Sequence, residues 1–238
     1  MKRPLLIIIV SLLLFVPFLG SVRLFDWDEI NFAENAREMI VTGDYLHMQI
    51  DYRPFYEKPP LFIWAQVLSM KAFGVNEFAA RLPNAIIGAI TMMVIFSIGR
   101  RLHDERFGWL WVLAYAGSLL PHFYFRSGII DPMFNLFIFL GLHAFIRSLR
   151  ERSTAQALAS GVLIGLALLT KGPAAGIILG LTVLGYWATH RFRPVLHWGR
   201  VAVVAGAAIG TAALWGVYDL LRNGPDDNGR FGLYGGRF

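Results

Sequence analysis

The sequence contains no cysteine, so disulfides and thiolate metal sites are excluded outright. It is also poor in charge: Asp, Glu, Lys and Arg make up 16% of its 238 residues, against about 25% in a soluble domain. No Gly-rich phosphate loop follows a strand pattern, and no zinc motif such as H-E-x-x-H occurs, which argues against nucleotide binding through a soluble domain. There is no internal repeat and no low-complexity segment. What is there is apolar. Hydrophobic residues account for 56% of the chain and the mean hydropathy is +0.53, and the long apolar runs mark an integral membrane protein. The net charge of +6 is not laid out as a nucleic-acid surface would be. Its basic residues cluster in short connections between apolar runs, which is the pattern of a membrane topology signal.

Met1-Lys2-Arg3 precedes an apolar run over 5–22. The run is long for a signal-peptide core and lacks a convincing A-x-A site, so it reads as a retained first span. Six more spans are predicted at about 83–98, 107–123, 129–146, 155–169, 173–188 and 201–221, several of them short for roughly 30 Å of hydrocarbon. The apolar segment 61–74 has 14 residues with Lys71 inside it, which suits an interfacial or re-entrant helix better than a span. Charge tests that choice. With seven spans the inner connections hold 11 bases and 3 acids, or 11 − 3 = +8, and the rest holds 11 bases and 13 acids, or −2. Counting 61–74 as a span would move the Arg147–Arg152 and Arg191–Arg193 clusters outside, against the positive-inside rule. The expected architecture is therefore an all-α integral membrane fold of about seven transmembrane helices. It has one transmembrane domain over 1–222, an external loop over about 23–82, and a Gly-rich polar tail over 223–238 expected to be poorly ordered.

The external loop holds nine of the sixteen acids. Within it Ile30, Ala33, Ala36, Arg37 and Ile40 recur at helical spacing, so 28–41 reads as an amphipathic helix lying along the membrane surface and closed by Thr42-Gly43-Asp44. Arg53-Pro54 and Pro59-Pro60 keep the next stretch extended.

The topology gathers Asp26, Asp28, Glu29, Glu57, Lys58, Asp131 and Lys171 at the outer boundary. Most have two readings. Asp26 or Asp28 caps the amphipathic helix, or Asp28 is a general base on an acceptor hydroxyl, oriented by Glu29. Lys58 snorkels at the interface, or it binds a phosphate as a point charge beside Glu57, a hard oxygen ligand for a divalent cation. Asp131-Pro132 is a helix start, or Asp131 shares that cation. Lys171 ends a span with a snorkelling side chain. His143, inside a predicted span, reads as a helix–helix hydrogen-bonding group. Trp109, Trp111, Tyr186 and Trp187 read as interfacial belts.

These residues resemble a known family. Trp27-Asp28-Glu29, Ala33-Glu34-Asn35-Ala36-Arg37-Glu38-Met39, Gly43-Asp44 and Tyr56-Glu57-Lys58-Pro59-Pro60-Leu61 are similar to the start of the aminoarabinose (lipid A) transferases. That group includes the protein O-mannosyltransferases and shares the GT-C fold. Ala80-Arg81-Leu82-Pro83, Arg126-Ser127-Gly128 with Asp131-Pro132, and Thr170-Lys171-Gly172-Pro173 extend the likeness. The resemblance implies an inverting transfer of a sugar from a polyprenyl-phosphate donor to a lipid or protein acceptor at the periplasmic or extracellular face, with no nucleotide cofactor. By carry-over it implies Asp28 as the catalytic carboxylate beside Glu29, Glu57 and Asp131 as divalent-cation ligands, and Lys58 on the lipid phosphate. Members of the group run longer, so a truncated chain or a completing subunit is expected. A non-catalytic lipid-phosphate-binding or assembly protein derived from this fold is the alternative. A transporter would carry inverted repeats and midplane charges, whereas here nearly all charges sit at span ends.

Overall fold

The computed structural model describes residues 2–55, 57–192 and 197–223. The predicted tail, beyond its first residue, lies outside them. The described chain is helical apart from two two-residue strands. In chain order its elements are α1 (Lys2–Phe15), α2 (Asp26–Thr42), β1 (Gln49–Ile50), β2 (Arg53–Pro54), α3 (Leu61–Phe73), α4 (Glu77–Leu102), α5 (Glu105–Ala116), α6 (Leu119–Phe125), α7 (Asp131–Arg150), α8 (Thr154–Lys171), α9 (Ala174–Thr189) and α10 (Trp198–Asn223).

This is the expected all-α, multi-pass membrane architecture. Among the described residues, α4, α7, α8 and the Trp198–Trp215 part of α10 are long and apolar enough to cross a bilayer, while Arg3–Phe15, α3 and α9 are shorter apolar helices. The span predicted over 107–123 is not one helix. The chain breaks at Gly117-Ser118, where the Gly117 N–H closes on Leu113 O and the Ser118 hydroxyl donates to Ala114 O, and Pro121, which has no N–H to give, follows. The resulting α5 has 12 residues and extends only about 18 Å. The first predicted span is cut similarly. α1 stops at Phe15, and turns carry 16–21 around Pro17, with Phe18 at φ 64°.

The residues cluster into two compact units. The first comprises Met1–Tyr45, Gln49–Tyr52 and Phe62–Pro132. Its core is aromatic at the junction of α1, α4 and α6. Phe15 and Phe125 meet edge-to-face at 5.1 Å, and both press onto Gly88, where an added Cβ would come within 2.9 Å of each ring. The second unit comprises Leu46–Met48, Arg53–Leu61 and the chain from Met133. In it α8 and α10 run parallel with their backbones in close approach. A Cβ on Gly161 would lie 2.6 Å from Val204 O, and one on Gly165 would lie 2.8 Å from Ala208 O. Small residues let membrane helices approach in this way. Ser160, buried on α8, donates to Gly141 O on α7 at 2.8 Å. Two apolar layers fill the bundle, one around Phe134, Ile138 and Ile164 and one around Phe145, Leu149, Ala157 and Val204.

Candidate functional site

The predicted amphipathic helix is α2, closed as expected by Gly43 in the left-handed region at φ 74°. Its buried face is mixed, with Phe32, Ala33, Ala36 and Met39 beside polar side chains. Glu29, Asn35 and Glu38 are buried, whereas Trp27, Ile30 and Val41 are exposed. Of the apolar stripe read from the sequence, Ala33 and Ala36 are buried and Ile30 is not. An interfacial helix can present apolar side chains outward to lipid, so its periodicity alone does not say which face meets the protein.

The α2 N-terminus is not capped by Asp28. The N-cap residue is Phe25, with no side-chain cap, and its N–H donates instead to Glu29 Oε2 at 2.9 Å. Asp28 is half-buried in the first turn, and no hydrogen bond or ion pair engages its carboxylate among the described residues.

Glu29 is the opposite case: fully buried and saturated. Its Oε1 accepts from Arg81 Nε at 2.8 Å and Gly128 N at 2.6 Å, and its Oε2 accepts from Arg81 Nη2 at 2.8 Å as well as from Phe25 N. Arg81, itself 3% exposed, gives its remaining N–H groups to backbone carbonyls. Nη1 donates to Leu19 O and Val22 O, both at 2.7 Å, and Nη2 to Arg23 O at 3.0 Å. A guanidinium has five N–H donors, and here five acceptors surround it. A buried ion pair is tolerated when its remaining polar valences are met in this way.

The same network reaches the turn before Asp131. Asn84 Nδ2 donates to Ser127 O at 2.6 Å and Ile129 O at 2.7 Å. Gln66 Nε2 donates to Ala80 O at 2.9 Å. A Cβ on Gly128 would sit 3.2 Å from Ala80 O, Gln66 Nε2 and Glu29 Cγ. Within the first unit, therefore, the segment carrying Asp28 and the turn leading to Asp131 hang on one set of buried donors. Asp131 is the first residue of α7.

Further along α2, Glu38 Oε2 accepts from Tyr52 N at 3.0 Å. Both Asp51 and Tyr52 have positive φ, at 55° and 56°, a conformation uncommon for non-glycine residues. On the outer side Glu34 takes a bidentate pair from Arg37 at 2.8 and 2.6 Å. That hydrogen bond holds the Glu34 carboxyl below its ordinary range and raises Arg37 in turn. A cleft of about 230 Å³ lies here, lined by Ala33, Glu34, Arg37, Met70 and Asn76 among others, and none of the predicted site residues lines it.

In the second unit Glu57 and Lys58 form an ion pair, Oε1 to Nζ, at 3.2 Å. Lys171 ends α8 with its Nζ 5.6 Å from the centre of the Phe134 ring. Among the described residues no three His, Cys, Asp or Glu side chains group into a metal-binding cluster. Asp28, Glu29 and Asp131 thus belong to the first unit, and Glu57, Lys58 and Lys171 to the second.

Arg81, Asn84, Gln66 and Gly128 were not candidates on the sequence reading. The available signal was Arg81 itself, a lone charge at the edge of an apolar segment, where a buried partner is expected.

Residues 57–215 match the family described as dolichyl-phosphate-mannose-protein mannosyltransferase. The undecaprenyl phosphate-alpha-4-amino-4-deoxy-L-arabinose arabinosyl transferase 2 of Sodalis glossinidius is 30% identical over 207 residues, covering 84% of this chain and 37% of that protein. The enzyme of the same name from Pseudomonas fluorescens strain Pf-5 is 30% identical over 230 residues, 94% of this chain and 39% of its own. The chain thus spans less than two fifths of the length of these curated relatives. Among solved structures, ArnT from Cupriavidus metallidurans superposes with a TM-score of 0.78 at 24% identity, covering 94% of this chain and 43% of that one. The form of it bound to undecaprenyl phosphate matches equally, over 42% of its chain. The fold is the GT-C fold expected, and the chain belongs to the dolichyl-phosphate-mannose-protein mannosyltransferase family.

Proposed function

We propose that this chain is the membrane part of a glycosyltransferase that moves a sugar from a polyprenyl-phosphate donor to an acceptor hydroxyl at the non-cytoplasmic face. The family supports the reaction class, and the relatives that are arabinosyl transferases and the neighbour bound to undecaprenyl phosphate support the donor class. The observation that carries the residue assignment is the contrast between two adjacent carboxylates. Asp28 is half-buried and uncommitted among the described residues, whereas Glu29 is saturated by Arg81, Gly128 and Phe25.

In this reading Asp28 is the general base. It takes the proton of the acceptor hydroxyl as that oxygen bonds to the anomeric carbon. The bond from that carbon to the phosphate oxygen breaks, the electron pair leaves with the polyprenyl phosphate, and attack from the opposite side inverts the centre. Glu29 stays ionised and fixes the first turn of α2. Lys58 offers an ammonium to the phosphate as charge develops on the leaving oxygen. Glu57 and Asp131 are each hard oxygen ligands of the kind that hold a divalent ion together with substrate phosphate. Such an ion, when bound, would neutralise phosphate charge. The acceptor is a lipid or protein hydroxyl.

The test is turnover of a labelled polyprenyl-phosphate sugar by the protein in lipid, with Asp28→Asn and Lys58→Gln beside the parent. Loss of about 10²–10⁴-fold in turnover for Asp28→Asn, with donor retained, supports the assignment. Full activity of Asp28→Asn would overturn it. Donor binding without turnover in the parent would favour the lipid-phosphate-binding or assembly role.

A further inference from the structure

We infer that the second unit carries a binding site for the phosphate of an anionic phospholipid at the end of the bundle where α7 meets α8 and α9 meets α10. The inference is independent of the proposed transferase reaction.

Four helix ends converge there. α8 and α10 run parallel, so the start of each lies at the same end, and α7 and α9 finish there. Phe145, Leu149, Ala157 and Val204 pack together at this level, with Tyr186, Trp187 and Val201 against them. Charge at this end is one-sided. Between Met133 and Trp215 the sequence has a single acid, Glu151, and five of the described arginines flank these connections, at 147, 150, 152, 191 and 200. Glu151 is already committed, since Arg147 Nε and Nη2 donate to its two oxygens at 2.9 and 3.0 Å. Arg150, Arg152 and Arg191 are exposed, and neither they nor Arg200 pair with an acid among the described residues.

Arg200 adds a second, independent observation. It lies in the first turn of α10 and is partly exposed, and its enclosed Nη1 has no hydrogen-bond partner among the described residues. A buried N–H that nothing accepts is rare in a folded protein, and a bound anion is one acceptor that would satisfy it. Guanidinium groups favour phosphate in particular, because two N–H groups match two of its oxygens. The setting fits a headgroup in a bilayer. Trp187 and Trp198 meet edge-to-face at 5.8 Å, and Trp187 packs on Phe192 at 5.2 Å. Trp198 and Phe192 are each about 60% exposed, and tryptophan in such positions sits at headgroup depth. The observations therefore favour a lipid phosphate over a free phosphate: the charge lies beside exposed apolar rings, and basic residues at a bilayer surface attract anionic lipid.

The experiment extracts the intact protein from vesicles of equal phosphatidylglycerol and phosphatidylcholine and counts retained lipid by native mass spectrometry. The parent is expected to retain phosphatidylglycerol selectively. Arg191→Gln and Arg200→Gln are each expected to weaken retention about fivefold, and Arg23→Gln, in the first unit, to leave it unchanged. Quenching of tryptophan fluorescence by brominated phosphatidylglycerol should fall in parallel. Equal retention of the two lipids by the parent overturns the inference. So does unchanged retention in Arg191→Gln, an exposed position whose substitution leaves the fold intact even if Arg200→Gln does not. Protection by soluble glycerol phosphate equal to that by the vesicle lipid would also overturn it, since the site would then be one for free phosphate.

Discussion

Replacing Arg81 with methionine removes a positive charge from a site where Glu29 is fully buried. Two of the four donors to the Glu29 carboxylate go with it, and the carbonyls of Leu19, Val22 and Arg23 each lose an N–H. Breaking one side of a buried, hydrogen-bonded pair costs about 3–5 kcal/mol, a large part of the roughly 5–15 kcal/mol that holds a domain together. Arg81→Lys keeps the charge but brings three donors without the planar fork, so it should fall about midway. Removing both partners, Glu29→Met with Arg81→Met, leaves no stranded charge and should cost less than the two singles together. The interaction energy should be about 2 kcal/mol, within the range for residues in contact. The assay is unfolding in mixed micelles titrated with dodecyl sulfate, followed by circular dichroism. A methionine variant within about 1 kcal/mol of the parent, or a cycle additive within about 0.5 kcal/mol, would refute the account of a mutually dependent pair.

Other perturbations follow from geometry already described. Gly161→Ala places a methyl 2.5 Å from Ala207 Cβ and 2.6 Å from Val204 O, so it should cost about 1–3 kcal/mol by overpacking, read in the same titration. Gly176→Ala, with nothing within 4 Å of its Cβ, should be neutral or slightly stabilising as a helical Gly→Ala change. The Glu34–Arg37 pair sets a pH dependence. Arg37 lowers the Glu34 carboxyl below its ordinary 4.5, so its contribution is present above 4.5 and disappears as pH falls through the lower folded value. Because Glu34 is about one-third exposed, the effect is at most about 1 kcal/mol. Parent and Glu34→Gln should differ in melting temperature at pH 7 and converge once the pH has fallen below the lowered folded value of Glu34. Glu38→Leu removes the acceptor for Tyr52 N; faster amide hydrogen exchange at Tyr52 is expected, and an unchanged rate would count against that anchor.

What could be read in advance was periodicity and punctuation. Helix 28–41 and its Gly43 stop were visible because helical spacing and a left-handed cap both leave local marks. The break at Gly117-Ser118 was not, because hydropathy averaged over 107–123 does not register two turn-forming residues inside an apolar run. The face that α2 buries was not legible, since a helix at a lipid boundary can turn Trp27 and Ile30 outward. Asp28 was legible as a candidate from its place after the first apolar run. The division of labour between Asp28 and Glu29 was not. It depends on Arg81, 52 residues away from Glu29, and no local pattern encodes a contact at that separation.

The saturated state of Glu29 also imposes an order on biogenesis. Its donors lie at positions 25, 81 and 128, and the last of them is 99 residues downstream. A ribosome delivering this chain to the membrane will have released α1 and α2 long before the Gly128 N–H exists to meet the carboxylate. Until then the first turn of α2 lacks its full set of anchors, and the nascent Glu29 can keep water that the finished protein excludes. Maturation of this region is therefore a late event. A ribosome stalled before residue 128 would expose an Asp28 segment still unlocked, and only once Gly128 has emerged from the ribosome can that segment be fixed in place.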